Sequence, residues 1–337
     1  MKSFFKFILL LIIILSITLI AAFFWLNKST GNIDNYETQF EIIKGDSSYS
    51  LANRLYLKGF INSKELFIII SRSLRLDRNL KAGWVRLLPG QTTIDIIRTI
   101  YSGDFVPISF TIPEGSTIKD IEKILVTSGA ADIDQIKTFL SDSSYPAKIG
   151  LNGYKSAEGF LFPETYKFQK GVNVQVIFNE MVEMFFKKIS EIYPQYNKLS
   201  VNELYDKVKM ASIVEKEVKL PEEAPIVAGV FYNRIKSGMR IQSCATIQYI
   251  LGKPKEQLLE TDLQIIHPYN TYIFPGLPPG PICNPGVTAL KAAFYPAEHD
   301  YLFFVVSDPD KGSHHFSTTY SEHLNAQKKY KSIKGLY

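Results

Sequence analysis

One glutamate stands out by where it falls. The run MASIVEKEV (210–218) reads as the end of a helix that begins near Val201. At about 100° per residue, Glu215 lies within about 40° of Leu204, Val208 and Ala211. Burying a carboxylate in such an apolar stripe costs free energy, and desolvation raises its pKa toward neutrality. A carboxyl still protonated near pH 7 is what a general acid for glycoside cleavage requires. A helix-end glutamate reaching water would give the same spacing, so the pattern alone leaves both readings open. Glu217 falls on the opposite side, beside Asp206, and reads as part of a solvated face.

Two further segments carry groups suited to a sugar. If Met239 to Gln242 is extended, Arg240 and Gln242 share one face and can hydrogen-bond a saccharide, although an ordinary polar strand face looks the same. The segment YNTYIFPGLPPGPICNPG (269–286) has five prolines and three glycines in its last 12 residues, which forbid regular structure and stiffen it. Tyr269, Tyr272 and Phe274 offer apolar ring faces there, and Asn270 and Asn284 offer amides. A loop this long without secondary structure is more often functional than a plain connector.

Other chemistries lack support. His314 and His315 are adjacent and would point to opposite faces of a strand. With His267, His299 and His323 they form no zinc motif, so neither a metal nor another cofactor is expected. There is no GxSxG elbow, P-loop or GxGxxG. A net charge of +5 is too mild for a nucleic-acid partner. Cys244 and Cys283 have no metal-ligand partner at close spacing; outside the cytoplasm they could pair, or remain two small unpaired residues.

The elements that must position these groups fall into an α+β pattern. Residues 7–26 are uncharged over 20 residues, enough for a helix of about 30 Å, one hydrocarbon core. The run is longer than a signal-peptide core, and Phe23, Phe24 and Trp25 suit a membrane interface, so an uncleaved transmembrane anchor is expected. Residues 1–6 then form a cytoplasmic tail and 27–37 a polar linker, with everything after it outside the cytoplasmic (inner) membrane on a single span. An internal repeat follows at an offset of 70 residues: FEIIKG (40–45) matches FTIPEG (110–115), and Leu51, Leu55 and Gly59 match Ile121, Leu125 and Gly129. Each copy reads as a short strand, a glycine turn and a helix ended by glycine, with Ser116 or Thr117 as cap of the second. Further helices are expected near 63–74, 93–102, 201–218, 222–237 and 319–330, and a buried strand over Tyr301–Val306. The domain boundaries follow as 38–105 for a first small module and 106–337 for the remainder, in which 106–172 is a second βα module and 173–337 a mixed helix and strand core.

Taken together, ASIVEKE (211–217), FYNRIKSGMRIQ (231–242), the 269–286 loop, GSHHFSTTYSEH (312–323), IPEG (112–115) and EGFLFPETY (158–166) resemble the endolytic murein transglycosylases, the MltG or YceG-like family. The matches run in order over about residues 38–330. The resemblance implies a LysM-like module over 38–105 and a catalytic region beyond it. It implies cleavage of the MurNAc-β-1,4-GlcNAc bond within peptidoglycan glycan strands to leave 1,6-anhydro-MurNAc ends. Glu215 takes the place of the family's catalytic glutamate, first acid and then base. Glu164 is the expected helper, and Asn233 and Thr246, in matched segments, join Arg240, Gln242, Tyr269, Asn270, Tyr272 and Asn284 as expected substrate-binding residues.

The chain departs from the family pattern where QSCAT (242–246) replaces the more usual QSDPT and where Cys283 replaces a small residue. Both departures are cysteines in expected site segments, so a Cys244–Cys283 disulfide pinning the loop is expected. A membrane-tethered cutter reaches mainly nascent strands, which implies peptidoglycan synthases as neighbours. Two other readings remain: a non-catalytic wall-binding scaffold of the synthesis machinery, and a hydrolytic muramidase leaving reducing ends.

Overall fold

The computed structural model describes residues 2–30, 38–43, 45–75, 80, 82–103, 105–252, 255 and 257–334; most of the expected linker lies outside the described residues. In chain order the elements are α1 (Lys2–Asn27), β1 (Thr38–Ile42), α2 (Ser48–Leu57), α3 (Lys64–Ser73), β2 (Gly83–Leu87), α4 (Thr93–Ser102), β3 (Pro107–Thr111), α5 (Ile118–Thr127), α6 (Ile133–Ser141), α7 (Tyr145–Lys148), β4 (Thr165–Gln169), α8 (Val174–Ile192), α9 (Val201–Glu217), α10 (Ala224–Lys236), α11 (Cys244–Leu251), α12 (Glu260–Leu263), α13 (Val287–Phe294), β5 (Phe303–Asp308), β6 (Ser313–Ser317) and α14 (Tyr320–Lys334). The strands form three two-stranded sheets, β1-β2, β3-β4 and β5-β6. The chain divides into two compact units, Met1–Ile108 with Lys167–Val172, and Ser109–Tyr166 with Asn173–Tyr337.

In the first unit, Phe4–Asn27 is long and apolar enough to cross a membrane. Beyond it, β1 and β2 pair antiparallel from Thr38↔Leu87 to Ile42↔Gly83. Alternation along β1 turns Phe40 and Ile42 inward, onto Leu51 and Leu55 of α2, Phe67 of α3 and Ile96 and Ile100 of α4. The 70-residue repeat is a structural repeat: strand, helix, helix, strand occurs as β1-α2-α3-β2 and again, with the short α7 added, as β3-α5-α6-β4. Ser47 and Thr117 are the matching helix caps, each in a reciprocal capping box. Gly59 and Gly129 take the left-handed backbone just past the two helices, at φ 72° and 71°.

The second unit is organised around α9. Ser200 caps it, accepting from the Glu203 N–H, a feature worth about 1 kcal/mol. Leu204, Val208, Met210, Ala211, Ile213 and Val214 are buried along it, and α13 contributes the buried small residues Ala289, Ala292 and Ala293. Pro225 sits in the first turn of α10, where its missing N–H costs nothing.

Three expectations about local structure need correction. Residues 239–242 form no strand: Gln242 has a left-handed φ of 53°, which breaks the alternation that would align Arg240 with it. The strand near 301–306 is β5 and is only half-buried, because its sheet has a single other strand, β6. Glu217 is not on a solvated face. At the end of α9 its carboxylate turns onto α11, accepting from the Ser243 hydroxyl and the Ala245 N–H, and burial raises its pKa.

Candidate active site

The site lies at the C-terminal end of α9. Glu215 lines a cavity of ≈ 90 Å³ whose walls include Val214, Val218, Ala224 and Ala289, with Glu114 and Lys219 as its other charged groups. Glu215 Oε2 accepts the Gly286 N–H at 3.0 Å; among the described residues Oε1 has no hydrogen-bond partner. Burial pushes the carboxyl up to about 7, the Gly286 N–H works against that, and the nearby Glu114 adds to it while Lys216 opposes it. The arrangement is a carboxyl able to hold its proton up to near neutrality, with one oxygen fixed.

Three chain segments remote in sequence meet behind Glu215, and Asn284 joins them. Its Oδ1 accepts the Gly159 and Leu161 N–H groups, both at 2.9 Å, and its Nδ2 donates to the Ser116 carbonyl at 2.9 Å and to Glu158 at 3.1 Å. The main chain is zipped as well: Gly115 N–H donates to the Asn284 carbonyl and Asn284 N–H to the Ser116 carbonyl, both at 2.9 Å. The proline-rich segment is thereby a buried strut, with Gly280 to Gly286 all inaccessible. One turn before Glu215, Ser212 holds the same strut: its hydroxyl accepts from the Ile282 N–H at 3.0 Å, and its carbonyl accepts from the Cys283 thiol at 3.3 Å. Gly159, at φ 90°, lies where a Cβ would come within 2.5 Å of Pro281 and 2.7 Å of Val208. Beneath the strut, Glu158 is buried against the first N–H of α5, at Ile118, and burial pushes its carboxyl up to about 8.

The expected site residues separate into two groups. Glu215 faces the cavity. Asn270, Asn284 and Thr246 are fully buried, and their polar atoms are spent on the protein. Asn270 donates to the Leu263 and Ile265 carbonyls, and the Thr246 hydroxyl donates to the Ser243 carbonyl. Asn233 likewise donates to the His299 and Tyr301 carbonyls. These four hold loops in place instead of facing a ligand. Arg240 and Gln242 are exposed, with Arg240 donating to the Tyr272 carbonyl at 3.2 Å. Tyr269 packs on Tyr249 with ring centroids 5.0 Å apart, and Tyr272 is half-buried.

Glu164 is exposed, and its carboxylate accepts the N–H of its neighbour Thr165; the carboxylate that shares the Glu215 cavity is Glu114. Glu114 lies in IPEG, quoted in the repeat and in the family resemblance, but nothing in the sequence marks it as a site residue. The two cysteines are unpaired. Cys244 is exposed and lies 3.0 Å from the Tyr272 hydroxyl, whereas Cys283 is buried on Ser212, where burial raises its thiol well above the ordinary value. His314 and His315 do face opposite sides of β6, with His314 bound to Glu223 at 2.7 Å. No cluster of metal-ligating side chains occurs among the described residues.

The model of the YceG-like family matches residues 40–329. The chain belongs to the YceG-like family. It is 30% identical over 328 residues to the endolytic murein transglycosylase of Bacillus subtilis, covering 91% of this chain and 87% of that one. It is also 30% identical over 278 residues to the endolytic murein transglycosylase of Streptococcus pneumoniae, where it spans 73% of its own length and 50% of the relative's. A crystal structure of a YceG-like protein from Listeria monocytogenes superposes with a TM-score of 0.56 at 33% identity, covering 87% of this chain and 99% of that one.

Proposed function

We propose that this protein is an endolytic lytic transglycosylase of peptidoglycan, held at the membrane by α1. The observation that carries the reading is Glu215: a half-buried carboxyl pushed up to about 7, fixed through one oxygen and lining a cavity. Protonated, it donates to the glycosidic oxygen between MurNAc and GlcNAc as the C1–O bond breaks. The resulting carboxylate then takes the proton of the MurNAc C6 hydroxyl as O6 closes on C1. The proton returns to Glu215, no water is consumed, and the product carries a 1,6-anhydro end. Gly286 supports the second half of the cycle, because its N–H stabilises the carboxylate form.

The order strand, helix, helix, strand in the first unit supports a LysM-like glycan-binding module near residues 38–105. The apolar helix α1, with Lys2 and Lys6 before it, supports a single span with the N-terminus inside and the second unit outside the cytoplasmic membrane. That placement confines cutting to strands near the membrane and makes the synthases that polymerise them natural neighbours. The reading is tested by incubating the full chain in detergent micelles with purified sacculi beside Glu215→Gln and analysing the products by mass spectrometry. Anhydro-MurNAc ends from the wild type alone are expected. Reducing ends would replace the transglycosylase by a hydrolase, and equal anhydro products from both proteins would move the acid elsewhere.

A further inference from the structure

Glu114 is built into the site with more care than a turn residue needs. It lines the cavity that Glu215 lines. Its side chain occupies the space left by Gly286, where an added Cβ would lie 1.8 Å from Glu114 Oε1 and 2.1 Å from its Cδ. Gly286 has an ordinary φ of −82°, so no backbone demand calls for glycine there, and a side chain at this position would push the Glu114 carboxylate out of its place. The turn carrying Glu114 is bonded in both directions to the segment carrying Gly286, and Gly286 is the residue that holds Glu215. The Glu114 side chain is exposed, and its carboxylate has no hydrogen-bond or ion-pair partner among the described residues, so it is free to meet a ligand at the cavity mouth.

We propose that Glu114 is a second carboxylate of the reaction site, facing the reacting sugar beside Glu215; the inference rests on the transglycosylase reading. Breaking the glycosidic bond builds positive charge on the anomeric carbon, and an anion that a bound strand would cover beside that carbon lowers the cost of the charge. No bond to Glu114 is formed, since O6 of the same sugar closes the ring. The same anion disfavours a second negative charge close by, which keeps the proton on Glu215 until it is needed. The other titratable groups facing Glu215 are Lys216 on its own helix, Lys219 at the cavity and the Cys283 thiol on the strut. Lys216 favours an ionised Glu215 and so opposes Glu114.

The test is the pH profile of kcat and kcat/KM for Glu114→Gln and Glu114→Asp in the full chain, on soluble uncrosslinked glycan strands. Glu114→Gln is expected to lower kcat about 10- to 100-fold and to move the basic limb to lower pH, because Glu215 then ionises more readily. Glu114→Asp is expected to keep the limb in place and recover part of kcat. Gly286→Ala, which displaces Glu114, is expected to shift both quantities in the direction of Glu114→Gln. A Glu114→Gln enzyme with wild-type kcat overturns the proposal, whether or not the limb moves. So does a lowered kcat with an unmoved limb that Glu114→Asp fails to rescue, since that marks a purely structural role. Full activity of Glu215→Gln in the same assay would overturn the transglycosylase reading and this inference together, whereas an inactive Glu215→Gln beside an unaffected Glu114→Gln overturns only the latter.

Discussion

Replacing Glu215 by glutamine is expected to stabilise the protein while inactivating it, by an amount that depends on pH. Burial moves the Glu215 carboxyl from 4.5 to about 7. Below 4.5 the group is protonated in both the folded and the unfolded chain, and glutamate and glutamine are nearly equivalent. As pH rises from 4.5 to about 7 the unfolded chain releases the proton and the folded chain retains it, so the wild type loses stability through that window. At about 1.4 kcal/mol per pKa unit, the loss is roughly 3 kcal/mol by pH 8, and the glutamine variant is spared it. Glutamine also keeps the Gly286 bond, its amide oxygen standing where Oε2 now accepts at 3.0 Å. For a cooperative unit of this size each kcal/mol corresponds to about 2–4 °C, so Tm should rise by roughly 6–12 °C at pH 8 and by almost nothing at pH 4. Calorimetry of both full chains in detergent micelles between those limits measures the difference directly. Parallel Tm curves, or a variant less stable than wild type at pH 8, would refute the buried-acid argument.

The remaining predictions concern the strut and the thiols. Asn284→Leu removes four side-chain hydrogen bonds and strands buried N–H groups, so urea unfolding should show a loss of about 3–5 kcal/mol. Gly159→Ala forces both a left-handed alanine and a Cβ within 2.5 Å of Pro281, and should cost about 2–4 kcal/mol. Gly238→Ala, left-handed at φ 69° with nothing within 4 Å, should cost only about 1 kcal/mol in the same assay. Maleimide treatment without reductant should label one thiol, Cys244, in the native chain and two after denaturation; a chain with no reactive thiol in either state would restore the disulfide.

What was legible in the sequence was what local periodicity encodes. Glu215 could be singled out because α9 is regular and only one carboxylate lies deep in its apolar stripe. The repeat could be read because each copy carries its own cap and its own terminal glycine. Glu217 misled because it lies at the helix end, where the wheel says nothing about α11 packing across it. Asn270 and Asn284 misled because an amide suited to a sugar is equally suited to a peptide group, and composition does not say which it meets. Glu114 stayed hidden because its significance depends on Gly286, far along the chain and without any periodic relation to it. The cysteines looked like a pair only while both segments were assumed to face the same space.

The Asn284 junction also orders events in time. Its partners Ser116 and Gly159 precede it by 168 and 125 residues, separations that make this junction a late event in folding. A chain emerging from its N-terminus can complete the first unit and α9 early. It cannot seat Gly286 against Glu215, or Glu114 against Gly286, until the strut has followed. Competence is therefore withheld until most of the second unit has emerged, so an incomplete chain holds an acid without the clamp that aims it.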